Sequence, residues 1–451
     1  MKPMTRTFLA FALMLAVPAL MALEPIQLGE NTSLQINADV RARWEGYKQA
    51  VASPDASDDG RHATQYLRVR TRLKLSLDVS DFMTVNVRFA NRFHYVTTSP
   101  SAKNNNGKAT WEFPDETIVD QANVVFKNLC DGNLSLTVGR QDIFLGNGFI
   151  FSEATPADQG RTVYADGITA KYKTETDTVT LLALYDSWKD RCVFINDRNR
   201  RLHSGDIFTT GAYWTHLFGD ALSLDAYYFF SDVDDNHPLE AERNHAADCS
   251  DSLHTAGLRI FGKPLPRVDY SLEAARQFGR DAGGHLNAGS LVDARLNVQM
   301  IEKDDFLPLA LGLEFTRFSG DHPRSRRNEG WTPLMSQCPL WGEELLPIML
   351  NGMWNNLESY RISLSSSFTE KAALTLFATQ YMVVDENGTV GATIASTGGG
   401  DNFGRLIGLT ATYKACKMLT LTTQLSHFQP GNFFANGHDS VWGRFEVTLA
   451  F

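Results

Sequence analysis

The sequence predicts an all-β membrane protein: a single closed antiparallel transmembrane β-barrel of about 18 strands, with short periplasmic turns and long extracellular loops. Three observations carry this. Apolar and polar side chains alternate with a period of two along nearly the whole chain. The connectors between these runs are short and long in alternation. The final run ends on an aromatic, Phe451, at the last position. Composition agrees. Of 451 residues, 43% are hydrophobic, which excludes a disordered chain, and 11% are aromatic, which favours strands. The net charge of −10 gives no sign of a basic nucleic-acid binder, so no nucleic-acid partner is expected. Five Cys are scattered without a CxxC, which excludes a zinc ribbon and a dense disulfide scaffold.

The first element is a targeting segment. Lys2 and Arg6 form a positive start, Phe8 to Leu20 an apolar stretch, and Leu20-Met21-Ala22 an imperfect cleavage site. Residues 1–22 are therefore read as a cleaved signal peptide and 23–451 as the barrel. Removing Lys2 and Arg6 leaves 429 residues with net charge −12. No later run of 18 uncharged apolar residues occurs, so no transmembrane helix is expected.

The barrel elements follow in order. In the first strand Leu34, Ile36, Ala38, Val40, Ala42 and Trp44 oppose Gln35, Asn37, Asp39, Arg41, Arg43 and Glu45. In the second, Leu67, Val69, Leu73, Leu75, Leu77 and Val79 oppose Arg68, Arg70, Arg72, Lys74, Ser76 and Asp78. These runs reach about 12 residues, where globular strands average about 5–6 and tilted membrane strands need about 9–11. The same pattern places strands at 33–45, 65–78, 83–95, 117–128, 133–145, 163–173, 178–187, 207–217, 221–231, 252–262, 268–279, 286–301, 309–318, 357–368, 371–384, 403–414, 419–428 and 439–451. Their even number puts both termini on the periplasmic side. Val79-Ser80-Asp81-Phe82, Cys130-Asp131-Gly132, Phe218-Gly219-Asp220 and Ala415-Cys416-Lys417 are among the short turns. The long connectors include 46–64, 96–116, 188–206, 232–251, 319–356 and 385–402. A soluble β-sandwich explains neither this rhythm nor the strand length.

The last strand alternates Val441, Gly443, Phe445, Val447, Leu449 and Phe451 with Trp442, Arg444, Glu446 and Thr448. It resembles the closing strand of outer-membrane proteins, whose terminal aromatic is the assembly signal. Phe451 is thus expected to engage the barrel assembly machinery. Orientation follows from energetics. A cation on the lipid face near the midplane costs about 2–4 kcal/mol, so Arg68, Arg70, Arg72 and Lys74 turned outward would cost roughly 8–16 kcal/mol if additive. They must face the interior, where about 18 strands enclose water.

Ordered stretches then resemble the alginate export family of outer-membrane porins. Val138-Gly139-Arg140-Gln141, followed by Gly160-Arg161-Thr162 and Asp166-Gly167, is similar to its "GRQ … R-x-F-DG" signature. Glu273-Ala274-Ala275-Arg276-Gln277-Phe278-Gly279, Phe318-Ser319-Gly320-Asp321 and Phe428-Gln429-Pro430-Gly431-Asn432-Phe433 resemble three later motifs. Tyr164 and Ala165, and the segment Cys338 to Leu346, depart from the family pattern. The resemblance implies an 18-stranded barrel with an arginine-lined pore passing an anionic polysaccharide.

The inward cations carry the functional expectation. They are Arg41, Arg43, Arg68, Arg70, Arg72, Lys74, Arg88 and Arg92 on the first three strands, with Arg259, Arg295, Arg361 and Arg444 further on. Rings of Arg and Lys concentrate anions and set anion selectivity. The structural alternative pairs them with Asp39, Glu45, Asp78, Glu273, Asp293, Glu314 and Glu446, merely filling the lumen. Arg140 breaks parity with Leu134, Leu136 and Val138, and a bulge at Gly139 would turn it inward. Arg161 stands where the third outer loop returns to the wall, a natural constriction.

Other motifs dissolve on inspection. Gly257 to Pro264 imitates a P-loop, but Pro264 replaces the Ser or Thr and the residues between alternate like a strand. Asp232, Asp234 and Asn236 begin like an EF-hand, but His237 and Arg243 break it. No serine-hydrolase elbow or zincin motif is present, so no enzyme, metal or cofactor is expected. Cys192 and Cys249 lie in consecutive outer loops, where export permits a bridge. The longest loop, 319–356, holds Trp331, Trp341 and Trp354, and is expected to fold over the pore mouth with a short helix near Glu343–Leu350. The chain thus reads as an outer-membrane porin for anionic oligo- or polysaccharide, in contact with outer-membrane lipid and lipopolysaccharide. An uptake porin for other anions, and a structural or adhesive barrel acting through its loops, are the alternatives.

Overall fold

The computed structural model describes residues 24–48, 63–98, 110–153, 165–187, 190, 192–195, 206–234, 252–281, 284–301, 307–333, 335–336, 354–391 and 394–451. The signal segment, Arg161, Trp341, Cys249, Cys338 and the expected helix near Glu343–Leu350 lie outside these residues.

Eighteen long strands make the wall. They are β1 (Thr32–Lys48), β2 (Ala63–Val79), β3 (Met83–Thr98), β4 (Thr110–Leu129), β5 (Leu134–Gln141), β6 (Ala165–Lys173), β7 (Asp177–Asp186), β8 (Asp206–Gly219) and β9 (Leu222–Asp234). Then come β10 (Ser252–Leu265), β11 (Val268–Arg280), β12 (Ser290–Ile301), β13 (Leu309–Phe318), β14 (Leu357–Ser367), β15 (Ala372–Val383), β16 (Asn402–Lys414), β17 (Leu419–Pro430) and β18 (Ser440–Ala450). Each pairs antiparallel with the next. β18 returns to β1 from Asp39↔Ala450 to Lys48↔Val441, so the sheet closes and no edge remains. Closure satisfies every backbone group that faces lipid.

Alternation decides which face is which. Leu181, Leu258, Leu272, Ile362, Ile407 and Phe445 lie exposed on the outer surface, while Leu182, Arg259, Glu273, Trp442 and Arg444 turn in. The turn after β4 is tight: Asn128, Cys130 and Asp131 adopt positive φ, with Gly132 at 88° completing it. The P-loop imitation lies wholly within β10, with Leu258 outward and Arg259 inward.

The structure departs from the sequence expectation at some ends. β4 begins at Thr110 rather than 117. β5 stops at Gln141 rather than 145, because Asp142 is drawn to Arg88, 2.9 Å away, and the chain leaves the wall. Leu286–Asn287 separates from β12 and pairs in parallel with Arg327–Asn328. Ile26–Gly29 adds a small hairpin before β1.

The main apolar core sits inside the barrel mouth. Phe149, Ile150 and Phe151 from the loop after β5, Trp331 and Trp354 from the 319–356 loop, and Phe433 and Phe434 from the last loop pack there on Phe229, Phe318, Tyr381, Phe403, Phe428 and Trp442.

Candidate functional site

The charged lumen is built by register on β18 and β1–β3. Arg41 stands opposite Arg70, Arg43 opposite Arg68, Arg70 opposite Arg92 and Lys74 opposite Arg88. Like charges directly opposite destabilise a sheet, so shared carboxylates and water must offset them. Arg70 and Arg72 share Asp39, at 3.3 and 2.6 Å. Arg68 and Arg444 share Glu45, each at 3.7 Å. Arg43 donates to Glu446, with Arg41 4.0 Å from the same group. Arg88 holds Asp120 at 2.8 Å and Asp142 through two further bonds. Lys74 has no ion pair among the described residues.

The expected lumen-filling pairs therefore exist among the described residues. Among the described residues, Asp39, Glu45, Asp120, Asp142 and Glu446 pair with Arg41, Arg43, Arg68, Arg70, Arg72, Arg88 and Arg444. Exposure divides the predicted set. Arg41, Arg43, Arg70, Arg88, Arg140 and Arg444 are buried, whereas Arg68, Arg72, Lys74, Arg92 and Arg295 are partly open to the lumen.

The opposite wall, β8–β13, has the reverse balance. Asp225 takes bonds from Tyr213 and Arg259, the latter at 2.7 Å. Glu273 accepts from Tyr227 at 2.8 Å, and the two tyrosine rings stack with centroids 5.4 Å apart. Asp293 binds Arg295 at 2.9 Å, and Glu314 lies 3.7 Å from that same arginine. Among the described residues, Arg259 and Arg295 thus pair with three of these four acids, and Glu273 is held by Tyr227.

The described part of the loop after β5, residues 142–153, crosses the lumen onto this acidic wall. Asp142 anchors it to Arg88. Positive-φ Gly146 and Gly148 turn it, and a Cβ on Gly146 would come within 2.7 Å of the Tyr213 hydroxyl. Asn147 then donates to Asp293 at 3.0 Å and Ser271 at 3.2 Å, and accepts from Arg259 at 2.8 Å. Phe149 lies 5.3 Å below the Arg295 guanidinium, and Ser336 of the longest loop donates to the Gly148 carbonyl. The loop covers acids and leaves the basic wall facing the channel. The sequence pattern already places Glu273 inward; alternation could have marked Asp225, Tyr213 and Tyr227 as well. Nothing in the sequence pattern marks Asn147, whose partners are distant along the chain.

Arg140 is buried as expected, by a different route. The β4–β5 and β5–β6 ladders run through Gly139 without a register shift, so there is no bulge. Gly139 instead takes φ of 116°, which L-residues avoid. Arg140 binds Asp166 at 2.7 Å, Asp190 at 3.1 Å and the Val119 carbonyl at 2.8 Å. Val193–Ile195 of the next outer loop pairs with β4 close to this point, so Arg140 fastens that loop to the wall. Cys192 is a free, exposed thiol.

A closed antiparallel barrel with long loops at one end and a charged lumen defines a transmembrane β-barrel of the outer-membrane type. The alginate export family model matches residues 33–447, and the chain belongs to that family. It is therefore an outer-membrane protein. Among solved structures it is similar to Pseudomonas aeruginosa OpdQ (TM-score 0.58, 12% identity, covering 93% of this chain and 98% of that one). It is also similar to Acinetobacter baumannii OccAB4 (TM-score 0.58, 11% identity, 94% and 100%) and to P. aeruginosa OccK5 (OpdH) (TM-score 0.57, 12% identity, 93% and 98%). At these identities the likeness concerns the fold. No curated protein matches the chain.

Proposed function

We propose that this porin passes anionic oligo- or polysaccharide by diffusion along its basic wall. The carrying observation is the charge of the inward positions: on β18 and β1–β3 these hold Arg41, Arg43, Arg68, Arg70, Arg72, Lys74, Arg88, Arg92 and Arg444 against Asp39, Glu45, Asp78 and Glu446. A ring of such groups concentrates anions in a confined channel. Arg68, Arg72 and Lys74 are among its open members. Replacing these three by Gln should lower the anion preference read from the reversal potential in planar bilayers, with heat-modifiable folding intact. An unchanged reversal potential would remove the pore role from them.

A second reading, uptake of small anions, is favoured by one observation. The loops bearing Phe149, Trp331, Trp354 and Phe433 pack into the barrel mouth and narrow it. Uronate oligomers of increasing length separate the two. Transient blockades by long chains from either side support polysaccharide passage; blockades confined to the shortest support the small-anion reading.

A further inference from the structure

The outer wall of β11–β14 carries a groove of about 590 Å3, lined by Leu272, Ala294, Leu296, Leu313, Phe315 and Tyr360. Register explains it. Leu272, Ala294, Phe315 and Tyr360 stand side by side in one row, and the small Ala294 leaves the hollow. Leu272, Leu313 and Tyr360 are exposed there, on the face turned to lipid.

Two cations crown the groove. One row nearer the loops, Arg317 stands opposite Val292 and Glu358; in the next row, Arg276 stands between Ala256 and Ser290. Strand spacing and rise put their Cα atoms about 12 Å apart, within reach of one headgroup for two long side chains. Arg317 is half-exposed and is held by Glu358 at 3.4 Å, which occupies only part of its donor fork. Arg276 is exposed and has no hydrogen bond or ion pair among the described residues. Its depth is fixed by neighbours. Tyr228 shares its row, and His254 stacks on Phe278 with centroids 5.0 Å apart, forming the aromatic girdle at the headgroup level.

We propose that this face binds a bisphosphorylated, multiply acylated glycolipid of the outer leaflet. Arg276 and Arg317 take its phosphates, and its acyl chains fill the groove. Guanidinium forks match phosphate oxygens in charge and geometry. A phospholipid with one phosphate engages one cation and leaves the other without a phosphate. The site rests on the outer-membrane location and not on the pore reading.

Native mass spectrometry of the full-length barrel in detergent tests this, with bisphosphoryl lipid A, its dephosphorylated form and phosphatidylglycerol as probes. The intact protein should retain lipid A in preference to both others. Arg276→Ala with Arg317→Ala should reduce that retention about tenfold or more. Ala294→Trp, which fills the groove and keeps both cations, should reduce it as well. Undiminished retention in either folded variant, or equal retention of phosphatidylglycerol, overturns the site. Reversal potentials on the same samples report separately on the pore, because none of these residues faces the lumen.

Discussion

Gly139 governs how the wall gives way to the inner loop. A Cβ at this position would lie 2.3 Å from the Ala122 carbonyl oxygen and 3.0 Å from the Asn123 Cα, both backbone atoms that cannot yield. Its partner across the ladder, Gly167, meets the Ala183 carbonyl in the same way at 2.2 Å. Gly139→Val should therefore destabilise the barrel by about 1–3 kcal/mol or more through backbone strain alone. The check is the urea midpoint of the heat-modifiable form, and a midpoint equal to the parent would show that the strand relaxes around the side chain. At this scale alternation made the facing of Arg41, Arg43, Arg68, Arg70, Arg72, Lys74 and Arg444 legible, because a strand in a wet barrel has only two faces. Shielding was not legible. Arg70 and Arg72 both bind Asp39, yet their side chains are 4% and 19% exposed. That difference depends on which neighbour overlies each guanidinium, and alternation carries no such information.

The wall and the inner loop differ in what fixes them. Each wall strand is set by local alternation and tight turns, so all 18 were readable, with most ends displaced by a few residues and the start of β4 at Thr110 rather than 117. The inner loop, residues 142–153, is set by contacts remote in sequence: Asn147 meets Asp293 across 146 positions. Its apolar run Phe149, Ile150 and Phe151 has no period to read, and it buries against Phe229 and Phe318 instead of lipid. Asn147 is the polar pin of this packing. Hydrogen bonds to charged groups contribute about 1.5–3 kcal/mol each, and Asn147 makes two of them. Asn147→Ala should loosen the loop tip, raise single-channel conductance and weaken anion preference, since Asp225 and Asp293 would then face the channel. Conductance and selectivity equal to the parent would mean that the phenylalanines hold the loop without the pin.

Across the whole molecule, charge is separated over the lumen. Arg-rich β18 and β1–β3 face acid-rich β8–β13, with residues 142–153 of the inner loop laid over the acids. A permeant anion should therefore follow one side of the channel, steered by a field from the wall rather than held at one site. Such a field has a range set by salt. The screening length is about 10 Å at 0.1 M and about 3 Å at 1 M. The first bridges much of the distance from wall to channel axis, and the second confines the field to a layer of water beside Arg68, Arg72 and Lys74. Anion-to-cation permeability, taken from reversal potentials at a fixed salt gradient, should thus fall steadily between these concentrations. The Arg68→Gln, Arg72→Gln, Lys74→Gln variant should start lower and change less. If the ratio in the intact protein stays constant over this range, ions are selected by direct contact at a narrow point, and the basic wall is not what sorts them.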